Sequence, residues 1–401
     1  MVVRSRPRAN ARCGREPAPM PGPSPFGASS GYSIEPITTN EGLCGVEEDW
    51  HRLSETAGSP NVFTTFDWFR AWNQHFAGKD HGGRRQPQVL VLKRDGAVAG
   101  ISPLIHRRAS RFGLVVRKVE FLESPADYND FVLGEDAAGQ IEAVVNFLAQ
   151  TQDEWDLVDL RDLRETGNAI ALIERALSST SLEYRILPEA RCPYLAIDAD
   201  WFGMVRKLSR RNRETIRRKQ RRLESLSTGG LRVRFIENPG AEPGLLDSLI
   251  ALESQKRIGG RPVPPLFARY PEVFRRIFDT LGPRRWICLA VMERGDRLLA
   301  WQVTFRCGKK LWLYSTAYDR SFSRFSLGAL LVPAVLDYGF SHGYQEYDFL
   351  RGEEPYKMTW STGCHETFRL LAWSPRWTSR MRAFLCVDLK AAVYRLVGRR
   401  S

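Results

Sequence analysis

Residues Tyr347–Trp360 read Y-D-F-L-R-G-E-E-P-Y-K-M-T-W, a short strand-forming run that passes directly into clustered charges. Tyr347, Phe349 and Leu350 suit a buried strand, Gly352 permits a sharp exit, and Glu353-Glu354-Pro355 can open a helical turn presenting Tyr356 and Lys357. The run follows a helical pattern over Ser326–Ser341, which itself follows a strand over Leu311–Ser315. A strand, a crossover helix and a second strand imply a parallel pair within a mixed sheet. The segment should then gather Asp348, Arg351, Glu353, Tyr356 and Lys357 at one sheet edge. Such a gathering serves either as an active-site edge or as a surface ion-pair cluster where strand meets helix.

The rest of the chain supports an αβ protein. Among 401 residues, 43% are hydrophobic and 11% aromatic, ample for buried cores across two ordinary domains. No apolar run reaches the roughly 20 residues that span a bilayer, and the first residues lack the apolar core of a signal peptide, so a cytoplasmic location is the default. Seven scattered cysteines (Cys13, Cys44, Cys192, Cys288, Cys307, Cys364 and Cys386) without a C-x-x-C pair suggest neither a disulfide framework nor a zinc site. The net charge of +13 comes from two segments. Residues 1–31 contribute +4, and residues 206–222 hold ten Lys or Arg against Glu214.

Residues 1–31 are rich in Arg, Pro, Gly and Ser and read as a disordered tail. An aromatic helix follows Thr64 or Thr65, and Phe66, Phe69 and Ala71 or Trp72 suit core packing. Gln88–Lys93 and Val98–His106 read as two strands joined by a hairpin turn at Arg94-Asp95-Gly96. Trp286–Met292, Leu298–Arg306 and Leu311–Ser315 repeat that grammar as a meander. In the first half Ile141–Gln150 precedes W-D-L-V-D-L-R-D-L, where Asp159-Leu160-Arg161 echoes Asp348-Phe349-Leu350-Arg351 with one residue missing. Two copies of one mixed αβ unit follow: 32–199 and 229–375, joined by a basic helix within 200–228 and closed by an amphipathic helix in 376–401. That last helix suits packing on its own protein or contact with a membrane surface at the inner face.

The Tyr347–Trp360 signature resembles that of the CelD- or BcsL-like acetyltransferases of the GCN5-related N-acetyltransferase superfamily, over about residues 60 to 375. The chain also looks like the Fem peptidoglycan aminoacyl transferases, which carry two such folds in tandem. The resemblance implies a fold of two tandem acetyltransferase-like units and transfer of an acyl group, acetyl from acetyl-CoA, to an amine or hydroxyl of a small molecule or saccharide. A link to exopolysaccharide or cellulose production is likewise implied. Metal chemistry is not expected, and the Fem-like alternative uses aminoacyl-tRNA as donor. A noncatalytic anion- or nucleic-acid-binding module is the third reading.

Acyl transfer must bind the donor, polarise a carbonyl, deprotonate an ammonium and protonate a leaving group. Tyr318 and Asp319 followed by Ser326-Leu327-Gly328-Ala329 occupy the strand-to-helix position where the superfamily places its pyrophosphate, although only one glycine is present and Ser326 is equally a plain helix cap. Glu353 is the preferred base, Asp348 an orienting group beside Arg351, and Tyr356 the preferred acid because Lys357 would help its phenol ionise; Tyr314 and Tyr318 are alternatives. The family's D-Y-x-D element corresponds to Asp127-Tyr128-Asn129-Asp130, which by resemblance faces the cleft, while turn chemistry explains it as simply. Glu253 and Lys256 stand i, i+3 on a helix and serve either substrate or a surface pair. The basic segment could meet tRNA, an anionic substrate or a membrane surface.

Overall fold

In the computed structural model, the described residues are 31–398 except 57–59, 77–84, 112, 123, 166–168, 198–207, 228–229, 259–260, 263 and 326. Residues 1–30 of the proposed tail, Ser326, and Arg206 and Lys207 of the basic segment therefore lie outside them.

The first half contains β1 (Ser33–Ile37), α1 (Asn40–Cys44), α2 (Glu47–Thr56), α3 (Phe66–Phe76), β2 (Arg85–Pro87), β3 (Val89–Arg94), β4 (Ala97–Ser102), β5 (Leu104–Arg111), β6 (Leu114–Phe121) and β7 (Val132–Leu133). It continues with α4 (Ala137–Gln150), β8 (Leu157–Arg164), α5 (Ala169–Ser178) and β9 (Glu183–Ala196). The basic helix is α6 (Arg210–Ser227). The second half contains β10 (Leu231–Ile236), α7 (Leu245–Glu253), β11 (Arg257–Ile258), β12 (Arg261–Pro262), α8 (Leu266–Arg269), α9 (Pro271–Leu281), β13 (Ile287–Arg294), β14 (Arg297–Cys307) and β15 (Lys310–Tyr318). It ends with α10 (Leu327–Ser341), β16 (Glu346–Asp348), α11 (Pro355–Trp360), β17 (Gly363–Trp373) and α12 (Trp377–Gly398).

An eleven-stranded sheet in the order β10-β13-β14-β15-β16-β9-β17-β8-β6-β5-β2 runs through both halves, and a second sheet has the order β1-β3-β4-β7. The expected strand over Val98–His106 is divided at Pro103, with β4 in the smaller sheet and β5 in the larger. Proline has no N–H for a ladder, so it suits the switch point. The second-half meander forms as read, with Asp95-Gly96 and Gly295 at positive φ in the tight turns of both halves. The helical reading of Ser326–Ser341 becomes α10, whose Leu327, Leu330, Leu331, Val335 and Leu336 are buried against β13–β15.

The crossovers produce parallel pairs in both halves. Lys310, Leu311 and Trp312 of β15 face Glu346, Tyr347 and Asp348 of β16; Lys118, Val119 and Glu120 of β6 face Leu157, Val158 and Asp159 of β8. Asp348 and Asp159 are thus counterparts, which gives the sequence echo a structural meaning. Each short parallel strand is then completed from the other half: β9 pairs antiparallel with β16, β17 pairs with β8, and β9 and β17 pair with each other. Nearly the whole of β17 lies along β9, from Gly363↔Tyr194 to Trp373↔Glu183.

Because removal of either half exposes a long buried ladder edge on the other, the two halves depend on each other for folding. Residues 32–199 expressed alone should show no cooperative thermal transition, and co-expression with 200–401 should restore one by circular dichroism. A cooperative transition in the isolated fragment would refute this dependence.

Candidate active site

A cavity of about 690 Å³ lies where the sheet crosses from one half to the other. Its floor carries Arg107 and Lys118 with Glu120, Asp159, Asp162 and Arg369; Asp127, Asn129 and Arg351 stand at one side with Tyr314 and Leu266, and Cys386 and Val387 of α12 close another. The walls come from both halves. Of the residues selected by sequence for catalysis or binding, Asp127, Arg351 and the alternative acid Tyr314 line this cavity.

Arg351 lies three residues after Asp348, where the chain leaves the sheet. The expected strand ends at Asp348; Leu350 then takes φ 55° and Gly352 φ 108°, a conformation open only to glycine at the second position. A non-glycine residue in the left-handed region costs energy, and here the Leu350 N–H donates to Asp348 Oδ1 at 2.7 Å, which helps to hold the turn. The turn directs the Arg351 guanidinium to Asp127 at 3.6 Å and into contact with Asp162. Burial raises the Asp127 pKa above the ordinary aspartate value, against the opposing pull of Arg351 and Lys357. Its side chain keeps about 26% of its exposure, the part facing the cavity.

Behind this wall, Tyr128 is fully buried and donates its hydroxyl to Asp348 Oδ2 at 2.7 Å. Burial pushes the Asp348 carboxyl up to about 6, with the Tyr128 and Leu350 hydrogen bonds acting in the opposite direction. Burial, then Asp348, pushes the Tyr128 phenol well above its usual value. The Arg164 guanidinium lies 4.9 Å from the Tyr128 ring and 5.0 Å from the Trp312 ring, locking first-half loop to second-half strand. Asp130 accepts the Phe131 N–H at 2.8 Å and is also pushed up to about 6 by burial.

The counterpart Asp159 is in the opposite state. Lys118 reaches it at 2.8 Å and Arg369 grips both oxygens at 2.7 and 2.9 Å, so these cations hold its carboxyl down at about 2 despite burial. Arg369 belongs to β17, from the second half, just as the partner of Asp348 belongs to the first.

The other sequence-selected residues are dispersed. Glu353 is exposed and paired with Arg191 at 2.7 Å. Lys357 is buried with its ammonium on the Arg351 carbonyl at 2.5 Å and on Glu354 at 3.0 Å. Tyr356 is half-buried, its phenol raised by burial and then by Glu354, the reverse of the ionising help expected from Lys357. Glu253 accepts the Leu266 and Phe267 N–H groups at 3.0 and 2.8 Å and so caps α8. Lys256 lies just past α7, its N–H donating to the Glu253 carbonyl at 2.9 Å. Tyr318 is exposed at the end of β15, Asp319 is buried and bonded to Ser321 and Arg297, Leu327 is buried in the core, and Gly328 lies in the first turn of α10. Ala329 follows Gly328 in that turn.

Sequence reasoning did not select Asp162, Arg107, Lys118, Glu120 or Arg369. The run L-V-D-L-R-D-L-R over β8 carried a signal, since charges inside an otherwise apolar strand must face either a partner or a cavity. Tyr314, weighed only as an acid, proves to be the extra residue of a bulge: Val303 and Thr304 face Ser315 and Leu313. The bulge re-aims Tyr314 toward the cavity, where its hydroxyl donates to the Pro125 carbonyl at 3.1 Å. Among the described residues Glu346, Asp348 and His365 could together hold a metal, but Glu346 is already paired with Lys310 at 2.9 Å and His365 at 3.1 Å.

With this geometry in view, comparison with known proteins places the chain. Residues 210–358 match the acetyltransferase (GNAT) domain family, and the chain is a transferase. No curated protein matches the sequence. A crystal structure of FemX superposes with a TM-score of 0.58 at 12% identity, covering 88% of this chain and 100% of that one. L-PGS from Bacillus licheniformis gives 0.51 at 13% identity over 88% and 96%, and a protein of unknown function from Bacteroides thetaiotaomicron gives 0.52 at 10% over 85% and 99%. At these identities the likeness is one of fold, and the fold of two acetyltransferase-like units is shared across nearly the whole chain.

The two aspartates should respond to pH with opposite signs. Asp348 binds its proton more tightly folded than unfolded, so its contribution falls as pH rises from about 4 to about 6, by roughly 3 kcal/mol. Asp348→Asn should therefore gain stability relative to the native chain as pH rises across that window, read from urea unfolding. Asp159→Asn should lose about 2–3 kcal/mol at pH 7, because two half-buried cations are left without their carboxylate, and should lose less below pH 3. Parallel pH profiles for the two variants would refute the assignment.

Proposed function

We propose that the chain transfers an acyl group to an amine bound in the cavity between the halves, with Asp127 as general base. The observation that carries this reading is the Asp127 carboxylate, raised by burial yet open to the cavity and held against Arg351 at 3.6 Å, whereas Glu120, also raised by burial, is more deeply buried and paired with Arg107 at 3.1 Å. A base poised nearer neutrality than an ordinary aspartate is suited to taking a proton from an ammonium. Glu353 lacks that setting, being exposed and occupied by Arg191.

The steps balance without a further reagent. The ammonium gives its proton to Asp127, the amine nitrogen bonds to the acyl carbon, and the bond to the leaving sulfur or oxygen breaks. Asp127 then returns its proton to the leaving group. Tyr314, whose phenol burial keeps protonated, is a hydrogen-bond donor in the same wall and can turn from Pro125 to the developing oxyanion.

The donor we propose is acetyl-CoA, lying where β15 continues to Tyr318 while β16 stops at Asp348. The first turn of α10 is open at Gly328, where even an added Cβ would approach nothing closer than Tyr318 Cδ1 at 3.5 Å. The residues present therefore fit a phosphate-bearing donor: Leu327, Gly328 and Ala329 would supply backbone N–H groups to its pyrophosphate, with Tyr318 beside them. The acceptor we propose is a polar amine or saccharide, in keeping with the charged cavity floor and with the CelD- or BcsL-like resemblance. A second reading, aminoacyl-tRNA as donor, is favoured by the exposed Arg210, Arg211, Arg217, Arg218, Arg221 and Arg222 of α6, which packs on α10.

Asp127→Asn should lower kcat about 10²- to 10⁴-fold with an unchanged melting temperature, and Glu353→Gln should stay within about twofold. The reverse result would return the base role to Glu353. In the native enzyme, kcat/KM should fall on acidification at a pH above that of an ordinary aspartate. Calorimetric binding of acetyl-CoA that disappears in Gly328→Glu supports the donor assignment; acyl transfer from aminoacyl-tRNA without acetyl-CoA binding would favour the second reading.

A further inference from the structure

The geometry points to the outward face of α12 as a docking surface for an anionic lipid bilayer. Trp377, Met381 and Phe384 are exposed by 73%, 39% and 54%. Their spacing of i, i+4 and i+7 places them in one line along the helix. Ser379, Ala383 and Cys386 are buried on the opposite side, the last two packing with Val116, Leu157 and Leu371. The helix therefore has its own core-facing stripe and, in addition, a separate apolar stripe with no protein against it among the described residues. A tryptophan left three-quarters open to water, aligned with a phenylalanine, is the composition of an interfacial helix, in which indole and benzene rings enter the headgroup boundary.

Charge complementarity identifies the occupant. Arg376 and Arg380 flank the stripe, each more than half exposed. Asp153 is exposed and its surface pair with Arg376 contributes little, so a lipid phosphate can replace it, whereas Glu183 is half-buried and holds the Arg380 guanidinium at the edge of the stripe through two nitrogens. No described helix is long and apolar enough to cross the bilayer, and α12 would lie along it. Because Cys386 and Val387 on the inner side of α12 line the cavity, docking would hold that cavity about one helix diameter, roughly 10 Å, from the headgroups.

The test is flotation of the full chain with vesicles of phosphatidylcholine containing phosphatidylglycerol, and with phosphatidylcholine alone. The chain should float with the anionic vesicles, weaken as salt is raised, and bind neutral vesicles at least several-fold less. Trp377→Ser combined with Phe384→Ser should weaken partition by about tenfold or more. The single Phe384→Glu, at a site already open to water, should do the same and serves if the double variant does not fold. Charge reversal in α6 (Arg217→Glu with Arg221→Glu) should change binding by no more than about twofold. Absence of flotation, equal binding to neutral vesicles, native-like binding by the α12 variants, or loss through α6 alone would each overturn the proposal. So would a native dimer in sedimentation that the α12 variants convert to monomer, since the stripe would then belong to a second copy. Acyl transfer to a water-soluble amine is measured separately and should be unchanged in the α12 variants, so the docking and the transferase reading can fail independently.

Discussion

The exchange of β9 and β17 is the constraint on which the rest of the molecule depends. Each half builds a parallel pair through a crossover, and each pair ends in an open edge that its own half does not close. The edge of β16 is filled by β9 and that of β8 by β17, and the two donated strands bond to each other along their length. Backbone N–H and C=O groups that are buried must find partners, so this arrangement fixes the two halves together at the main-chain level before any side chain is considered. The seam then becomes a place where residues more than a hundred positions apart can be held in register.

The paired aspartates show what that register does. Asp159 and Asp348 occupy the same place in their parallel pairs, yet one is held at about 2 and the other at about 6. The difference lies in the partners each one meets. β17 brings Arg369 to Asp159, where Lys118 joins it, while the first-half loop brings the neutral hydroxyl of Tyr128 to Asp348. Two cations compensate the cost of burying a carboxylate; one phenol does not. The symmetric scaffold therefore carries an asymmetric charge pattern, with a fixed ion cluster on the first half and a carboxylate close to neutrality on the second.

Much of the fold was legible because periodicity and turn chemistry act locally. The Asp95-Gly96 and Arg294-Gly295 turns, α10 and the glycine exit at Gly352 depend on residues within a few positions of each other. The strand exchange was not legible, since it depends on which of several similar edges a strand meets. Pro103 was the local sign of a sheet switch, and it was read through as one strand. For the site, Asp127 and Arg351 could be selected as types in suggestive places, whereas Asp162, Lys118 and Arg369 acquire meaning only when β8, β6 and β17 are laid side by side. Glu353 and Lys357 follow the same logic in reverse: their proximity in sequence suggested convergence, but the left-handed turn at Leu350 and Gly352 sends one to Arg191 at the surface and the other back to the Arg351 carbonyl.

That turn also explains why the cavity wall can be both strained and precise in position. Leu350 is held at φ 55° because its N–H is taken by Asp348, its side chain is buried, and the neighbouring Phe349 N–H is bonded to Pro193 at 2.9 Å. Three independent contacts over-determine a conformation that leucine alone would not choose. Arg351 follows with its carbonyl fixed by Lys357 and its guanidinium fixed between Asp127 and Asp162. A side chain so constrained at both ends loses little further freedom when a ligand arrives, and Asp127, held by it, keeps one face toward the cavity. The buried hydrogen bond between Tyr128 and Asp348 stands directly behind, so that backbone strain at the exit from β16 is converted into a defined carboxylate position at the junction of the halves.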